Sequence, residues 1–326
     1  MADLQICYPV SLESPEAPRP VVEDVSLVIP TVGRDILESC LAYLVTGTRW
    51  PASVVVVDQG RRAQVAEMME RLRALGIHCE YVPSTERGRS AGINRGLERV
   101  NTRFVTITDD DCFVSPSWLE IMTAKLRAQP DQILTGRVAL AGDEDAPFSV
   151  MLDTQPAVHT KPTVRLHPFI GGNVGMAMSL VRRIGPFDEH PCLASAEDSD
   201  YGHRALRLGI PIAYDPEVVL YHYHWRDAQE RAVRYGDYAR SQGGFYGTHL
   251  RHGDFIVLLQ AVRDLIRSPI RWMRGLISRD RELIENGRAS TLNLPPGIIA
   301  GLRRKTFPAP WQELHTNAHR SGEYLG

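Results

Sequence analysis

The chain has 326 residues, 43% of them hydrophobic, and a formal net charge of -2. That length holds one large α/β domain or two smaller ones, each with a sizeable core. The near-neutral balance supplies no global basic field of the kind that draws a protein to nucleic acid.

Met1 to Asp24 is rich in Pro and Glu and reads as an N-terminal extension without the apolar stretch of a signal peptide. From Val25 short β runs alternate with amphipathic stretches. Val25 to Ile29 predicts a strand, Pro30 to Arg34 a loop, and Asp35 a helix start. Ser53 to Val57 is a second strand closing on Asp58, and Gln64 to Leu75 has helical spacing. Ile77 to Val82, Ser90 to Val100 and Phe104 to Ile107 continue as strand, helix and strand. This succession argues for an α/β fold with a mostly parallel sheet and helices on both faces. In such sheets ligands bind beyond the carboxyl ends of the strands, where the loops with Thr31, Asp58 and Asp109 to Asp111 fall.

Ser117 to Arg127 reads as a helix and Gln132 to Ala139 as a strand. The long stretch Gly142 to Pro168 has no clean periodicity, and loops of that length are more often functional than idle. A helix is expected from the acids at 197–200 to about Leu208, then two short strands near Ile212 and at Val218 to Tyr221. Beyond Trp225 the texture becomes helical. Asp227 to Tyr246 is polar, and Phe255 to Ile277 sets an apolar stripe beside Arg263, Arg267, Arg271 and Arg274. Such a segment either lies on an anionic bilayer or packs on the domain with its arginines in solvent. The expected division is therefore 1–24, 25–225 and a C-terminal helical region at 226–326.

The five cysteines, Cys7, Cys40, Cys79, Cys112 and Cys192, show no zinc or CxxC spacing and read as reduced thiols. No stretch is apolar enough to span a membrane. The expected location is the cytoplasm, with the inner membrane face as a place of contact.

The chemistry begins at Asp109-Asp110-Asp111, where a buried apolar strand ends in three carboxylates. Alone, the triplet reads as a solvated acidic turn. With Glu197-Asp198-Ser199-Asp200 and the pair His222/His224 further along, it reads as a site for a divalent cation, Mg2+ or Mn2+, carrying a phosphorylated ligand. Asp58, before Gln59-Gly60, is equally a turn-forming residue.

These motifs together resemble the family 2 glycosyltransferases with the GT-A fold. The likeness rests on residues 25–31, 54–58, 88–97, 109–111, 171–176 and 197–200, then on the segment 208–222, about two-thirds of the chain. It implies a nucleotide-diphosphate sugar as donor and a hydroxyl-bearing glycan, lipid-linked or small-molecule acceptor, with inversion at the transferred sugar. By the resemblance Asp109 and Asp111 fill the family's DxD element. Asp111 meets the metal, while Asp109 and Asp110 lie nearer the ribose. Pro30, Thr31 and Asp58 fall on the nucleotide side, and Arg89 and Asn94 near the diphosphate. Relatives often carry an arginine immediately before that asparagine, where this chain has Ile93. His222 stands where relatives place a metal-side histidine, with His224 two residues on as its substitute. Asp198 is the expected catalytic base and Glu197 an acceptor contact, with Asp200 supporting the helix start. The rival readings are a nucleotidyltransferase, which lacks its usual Gly-rich loop here, and a non-catalytic nucleotide- or carbohydrate-binding module, which would not need the acids at 197–198 together with the metal carboxylates.

Overall fold

The computed structural model describes residues 6–141, 150–165, 169–224 and 228–307. The first half alternates strands and helices in the order β1 (Val21–Thr31), α1 (Ile36–Val45), β2 (Trp50–Asp58), α2 (Ala63–Ala74), β3 (Cys79–Pro83), α3 (Arg89–Leu97) and β4 (Phe104–Ile107). There follow β5 (Cys112–Val114), α4 (Trp118–Ala128), β6 (Ile133–Ala141), β7 (Ala157–His159), β8 (Val174–Ala177) and α5 (Met178–Ile184). A 3-10 turn at Pro191–Leu193 precedes α6 (Glu197–Arg207), β9 (Ile212–Tyr223), α7 (Ala228–Leu250), α8 (Phe255–Ser278) and α9 (Arg281–Leu302). Parts of the expected long loop (142–149 and 166–168), and the boundary residues 225–227, lie outside the described residues.

The strands form one mixed sheet in the order β3-β2-β1-β4-β8-β6-β9-β5, with β7 on β9. β3, β2, β1 and β4 run parallel, as the alternating pattern requires. Val54 to Val57 are all buried, which is why β2 reads as an unbroken valine run rather than an alternation. Pro30 lacks a donor, but β4 ends opposite Val28, so no partner on that side goes unbonded. The two short strands expected near 212 and 218–221 are one strand, β9. Its register against β6 jumps from Gly136↔Asp215 to Arg137↔Val219, so Pro216 sits in a bulge.

Chain contacts divide the molecule into two compact units. The first takes the described residues up to 160, 169–182 and 210–224, and contains the sheet. Residues 6–20 run along it, with the Cys7 amide donating to Tyr43 Oη (2.8 Å) and the Tyr8 ring 4.3 Å from that of Tyr223. At its centre Asn173 is fully buried and fully used. Its amide donates to the Arg137 and Val218 carbonyls (both 3.0 Å), and its oxygen accepts from Trp118 Nε1 (2.8 Å). The Gly-Gly-Asn segment therefore ties β8, β6, β9 and α4 together.

The second unit holds 161–165, 183–209 and 228–307. Its core gathers Leu193, Ala196, Phe245, Tyr246, Val257 and Leu294. α7 and α9 approach backbone to backbone. A Cβ on Gly247 would stand 2.1 Å from the Ile298 carbonyl, and one on Gly297 2.1 Å from that of Arg240. α6, with the acids 197–200, is held within this unit by a buried polar network. Asp200 accepts from Arg204 Nε (2.9 Å) and pairs with His249 Nε2 of α7 (3.1 Å). His203 Nε2 is bonded to Asp254 Oδ2 (2.8 Å), and Arg207 Nε lies 3.4 Å from the same oxygen. Asp254 also caps α8 by accepting from the Ile256 and Val257 amides.

Burial opposes ionisation of Asp254, but bonding to His203 and Arg207 outweighs it and holds the carboxyl far below the usual carboxylate range. Its contribution to stability is complete above the unfolded-chain value near 4 and fades as pH falls toward the much lower folded value. Asp254→Ala should cost about 3 kcal/mol at neutral pH, from the lost cap and the stranded partners. Urea unfolding at pH 7 and at pH 3 checks this: the deficit should narrow at the lower pH, and an equal deficit at both would contradict the ionic role.

Candidate functional site

The site lies in the first unit, at the carboxyl ends of β1, β2 and β4. Thr31 and Asp58 face each other as the last pair between β1 and β2, and the acidic triplet follows Ile107 of β4. The short strand β5 then doubles back antiparallel to β9, which sets Cys112 opposite His222. The Tyr223 amide donates to the Asp111 carbonyl (2.9 Å). This register places His222 Nε2 3.6 Å from Asp111 Oδ1. His222 Nδ1 meets His224 Nε2 at 3.3 Å, with the two rings perpendicular. Of the two histidines, His222 is the one beside the carboxylate, and His224 buttresses its other nitrogen.

The three acids have different surroundings. Asp110 is buried and is gripped by Arg34, through Nε (3.2 Å) and a closer Nη2 contact, and by Thr31 Oγ1 (2.6 Å). Burial and the neighbouring Asp111 nevertheless push its carboxyl up to about 6. Asp109 is partly exposed and accepts from Arg89 Nε at 2.7 Å. Asp111 is buried, with Arg34 Nη2 3.7 Å from its second oxygen. Arg34 and Arg89 already supply counter-charge. Neither guanidinium pairing is legible locally, because the partners lie 76 and 20 residues apart. The available signal for Arg34 was a basic residue in the loop directly after the first strand.

Asp58 is fully buried, and its carboxylate accepts from the Gly60, Arg61 and Arg62 amides (2.9, 2.9 and 2.7 Å) and from Tyr81 Oη (3.1 Å). These four donors fit the turn-forming reading; a side-chain bond to a nucleobase would require one of them to let go. Gln59 links this loop to the start of α3, donating to the Glu86 and Gly88 carbonyls (both 2.9 Å), a role not anticipated from sequence. The small residues of 88–97 serve close packing. A Cβ on Gly92 would lie 2.8 Å from Pro30, and one on Gly96 2.3 Å from Val28. Asn94 is half-buried on the same helix. Gly172 faces the triplet, since a Cβ there would come within 2.7 Å of Asp109 Oδ2.

Glu197, Asp198 and Asp200 occupy the first turn of α6 in the second unit. Glu197 and Asp200 are buried, whereas Asp198 is partly open to solvent. Asp200 is engaged by Arg204 and His249, a pairing role beyond the electrostatic support expected of it.

Among the described residues, two clusters bring three metal-type ligands together: Asp111, Cys112 and His222, and His203, His249 and Asp254. In the first, burial and Asp111 push the Cys112 thiol far up, and a soft thiol is not the donor type that suits Mg2+ or Mn2+. That leaves a carboxylate and an imidazole, a donor pair suited to Mg2+ or Mn2+, with their atoms spaced much as neighbouring ligands of one ion are. In the second, Arg204 and Arg207 already balance Asp200 and Asp254. A divalent ion would add uncompensated charge to a buried site, so that cluster is a bonded network.

Residues 26–184 match the family model "Glycosyl transferase family 2". Chondroitin synthase from Escherichia coli is 24% identical over 240 residues, covering 62% of this chain but 35% of that protein. Hyaluronan synthase from Pasteurella multocida is 25% identical over 235 residues, covering 60% of this chain and 24% of the relative. The chain thus spans about a third or less of the length of these curated relatives. Among solved structures, the mannosyltransferase PcManGT from Pyrobaculum calidifontis, in complex with GDP-Man and Mn2+, superposes with a TM-score of 0.57 at 14% identity. It covers 91% of this chain and 92% of its own. At that identity the likeness speaks for the fold, which is GT-A. Sequence and fold agree: residues 26–184 are similar to family 2 glycosyltransferases, within a GT-A fold.

Proposed function

We propose that the protein is a metal-dependent, inverting glycosyltransferase that moves a sugar from a nucleoside-diphosphate donor to an acceptor hydroxyl in glycan or glycolipid assembly. The observation that carries the reading is the meeting of Asp111 and His222 at the carboxyl edge of a GT-A sheet. The match of residues 26–184 to the family 2 glycosyl transferases supports transfer over nucleotidyl chemistry or bare binding. The GDP-Man and Mn2+ bound to PcManGT support a metal-bound nucleotide-sugar as the donor class.

In this reading Asp111 and His222 hold a divalent cation, with His224 fixing the orientation of the His222 ring. A metal held by these residues would supply Lewis-acid stabilisation to the diphosphate leaving group. Arg34 and Thr31 keep Asp110 in place, and Arg89 orients Asp109 toward the donor's ribose side. Pro30, the loop after Asp58, and Asn94 line the nucleotide side. Asp198, the partly exposed acid of α6, takes the proton from the acceptor hydroxyl as its oxygen bonds to the anomeric carbon and the bond to the diphosphate breaks. Glu197 contacts the acceptor. One base and no nucleophilic carboxylate give direct displacement and an inverted anomeric centre.

Three expected outcomes test the proposal. Asp111→Ala, and chelation of the intact protein, should each abolish most release of nucleoside diphosphate from UDP-, dTDP- or GDP-sugars; full activity in EDTA would contradict the metal role. His222→Ala should raise the Mn2+ concentration needed for half activity by roughly tenfold or more, and His224→Ala by less. Equal small effects would return both rings to structural duty. Asp198→Asn should lower turnover by roughly a hundredfold or more with little change in donor affinity, and the wild-type product should be inverted by NMR. Near-normal turnover or a retained configuration would remove Asp198 from the chemistry.

A further inference from the structure

α8 is turned the opposite way from a helix that packs its apolar face on a core. Its buried positions are Val257, Gln260, Ala261, Ser268 and Gly275, a set that is mostly small or polar. The small residues are used for close approach: a Cβ on Gly275 would lie 2.7 Å from the Ile284 amide nitrogen of α9, and one on Gly287 of α9 2.5 Å from that of Trp272. The large apolar side chains point to solvent. Phe255 is 65% exposed, Ile266 56%, Met273 62% and Ile277 81%, with Val262 and Ile270 exposed between them. Steps of three, four and seven residues put all six on one stripe along a 24-residue helix. Contiguous apolar surface of this extent marks an interaction site.

The flanking charge selects the occupant. α8 contains four arginines and one carboxylate, Asp264. That carboxylate is already taken by Tyr246 Oη (2.6 Å) and Arg263 Nε (2.7 Å). Arg267 and Arg274 are exposed along one flank, and the exposed Arg279 ends the helix. A second copy packed through the same face would bring the same excess of arginine against arginine. Lipid phosphates supply an acidic complement, and the acyl boundary takes the apolar stripe. No helix among the described residues is long and apolar enough to cross a membrane, so the contact is with a surface.

We propose that the exposed stripe of α8 docks on an anionic bilayer, with Phe255, Val262, Ile266, Ile270, Met273 and Ile277 in the acyl boundary and Arg267, Arg274 and Arg279 on lipid phosphates. The inference stands apart from the glycosyl-transfer reading, since it uses none of the residues placed there.

Co-sedimentation of the full chain with vesicles tests it. Vesicles of phosphatidylcholine with about a third phosphatidylglycerol should pull down most of the protein at low salt. Pure phosphatidylcholine should pull down little, and high salt should weaken the anionic binding. Ile270→Glu with Ile277→Glu should reduce binding more than tenfold, and each of Arg267→Gln and Arg274→Gln by about fivefold. The melting temperature and donor turnover in solution should be unchanged, because these side chains face solvent. Failure to bind anionic vesicles would overturn the proposal. So would equal binding to both vesicle types, or a dimer in sedimentation velocity that the Ile270/Ile277 substitutions dissolve.

Discussion

Cys112, Phe113 and Val114 of β5 pair antiparallel with the last residues of β9, and this short ladder is what makes the candidate site. It turns the chain back immediately after the acidic triplet and delivers Asp111 to His222, 111 residues further along the sequence. A slip of one residue would send the His222 ring to the opposite face of the sheet. The aromatic stack of Tyr8, Tyr43, Phe113 and Tyr223 resists such a slip, because Phe113 and Tyr223 belong to the two paired strands and pack against residues from the N-terminus and α1. Beneath it, Asn173 saturates its amide group on β6, β9 and α4. The precision of the site thus derives from a strand register fixed on several sides.

The arginines refine the electrostatic picture. Arg34 holds Asp110 and Arg89 holds Asp109, while Asp111 has the imidazole within reach on one side and a longer approach to Arg34 on the other. Division of labour within a row of identical side chains follows from burial and neighbours. It gives each acid a separate role without any difference in residue type.

How much was legible before the fold depended on the range of the interaction. The parallel half of the sheet followed from local patterning, since Val54 to Val57 and Phe104 to Ile107 are buried strands bounded by turn residues. The carboxyl-edge position of Thr31, Asp58 and the triplet followed from that topology. The pairings Arg34–Asp110 and His203–Asp254 did not, because they depend on which elements become neighbours. β9 was read as two strands since Asp215-Pro216-Glu217 looks like a terminator, whereas a bulge absorbs it. α9 had no clear signal, because Pro295 and Pro296 interrupt its pattern. Glycine contacts with α7 hold it in place of a broad apolar face. For α8 the sequence supplied the amphipathic stripe but left its direction open; only the fold shows that it faces outward.

The most direct test of this account is to locate Mn2+ by anomalous diffraction in crystals of the protein grown with the metal and UDP or GDP. A peak is expected within bonding distance of the Asp111 carboxylate and the His222 ring, with the nucleotide's diphosphate on the same ion. A peak at His203, His249 and Asp254 instead, or nucleotide bound with no ion beside Asp111, would contradict it.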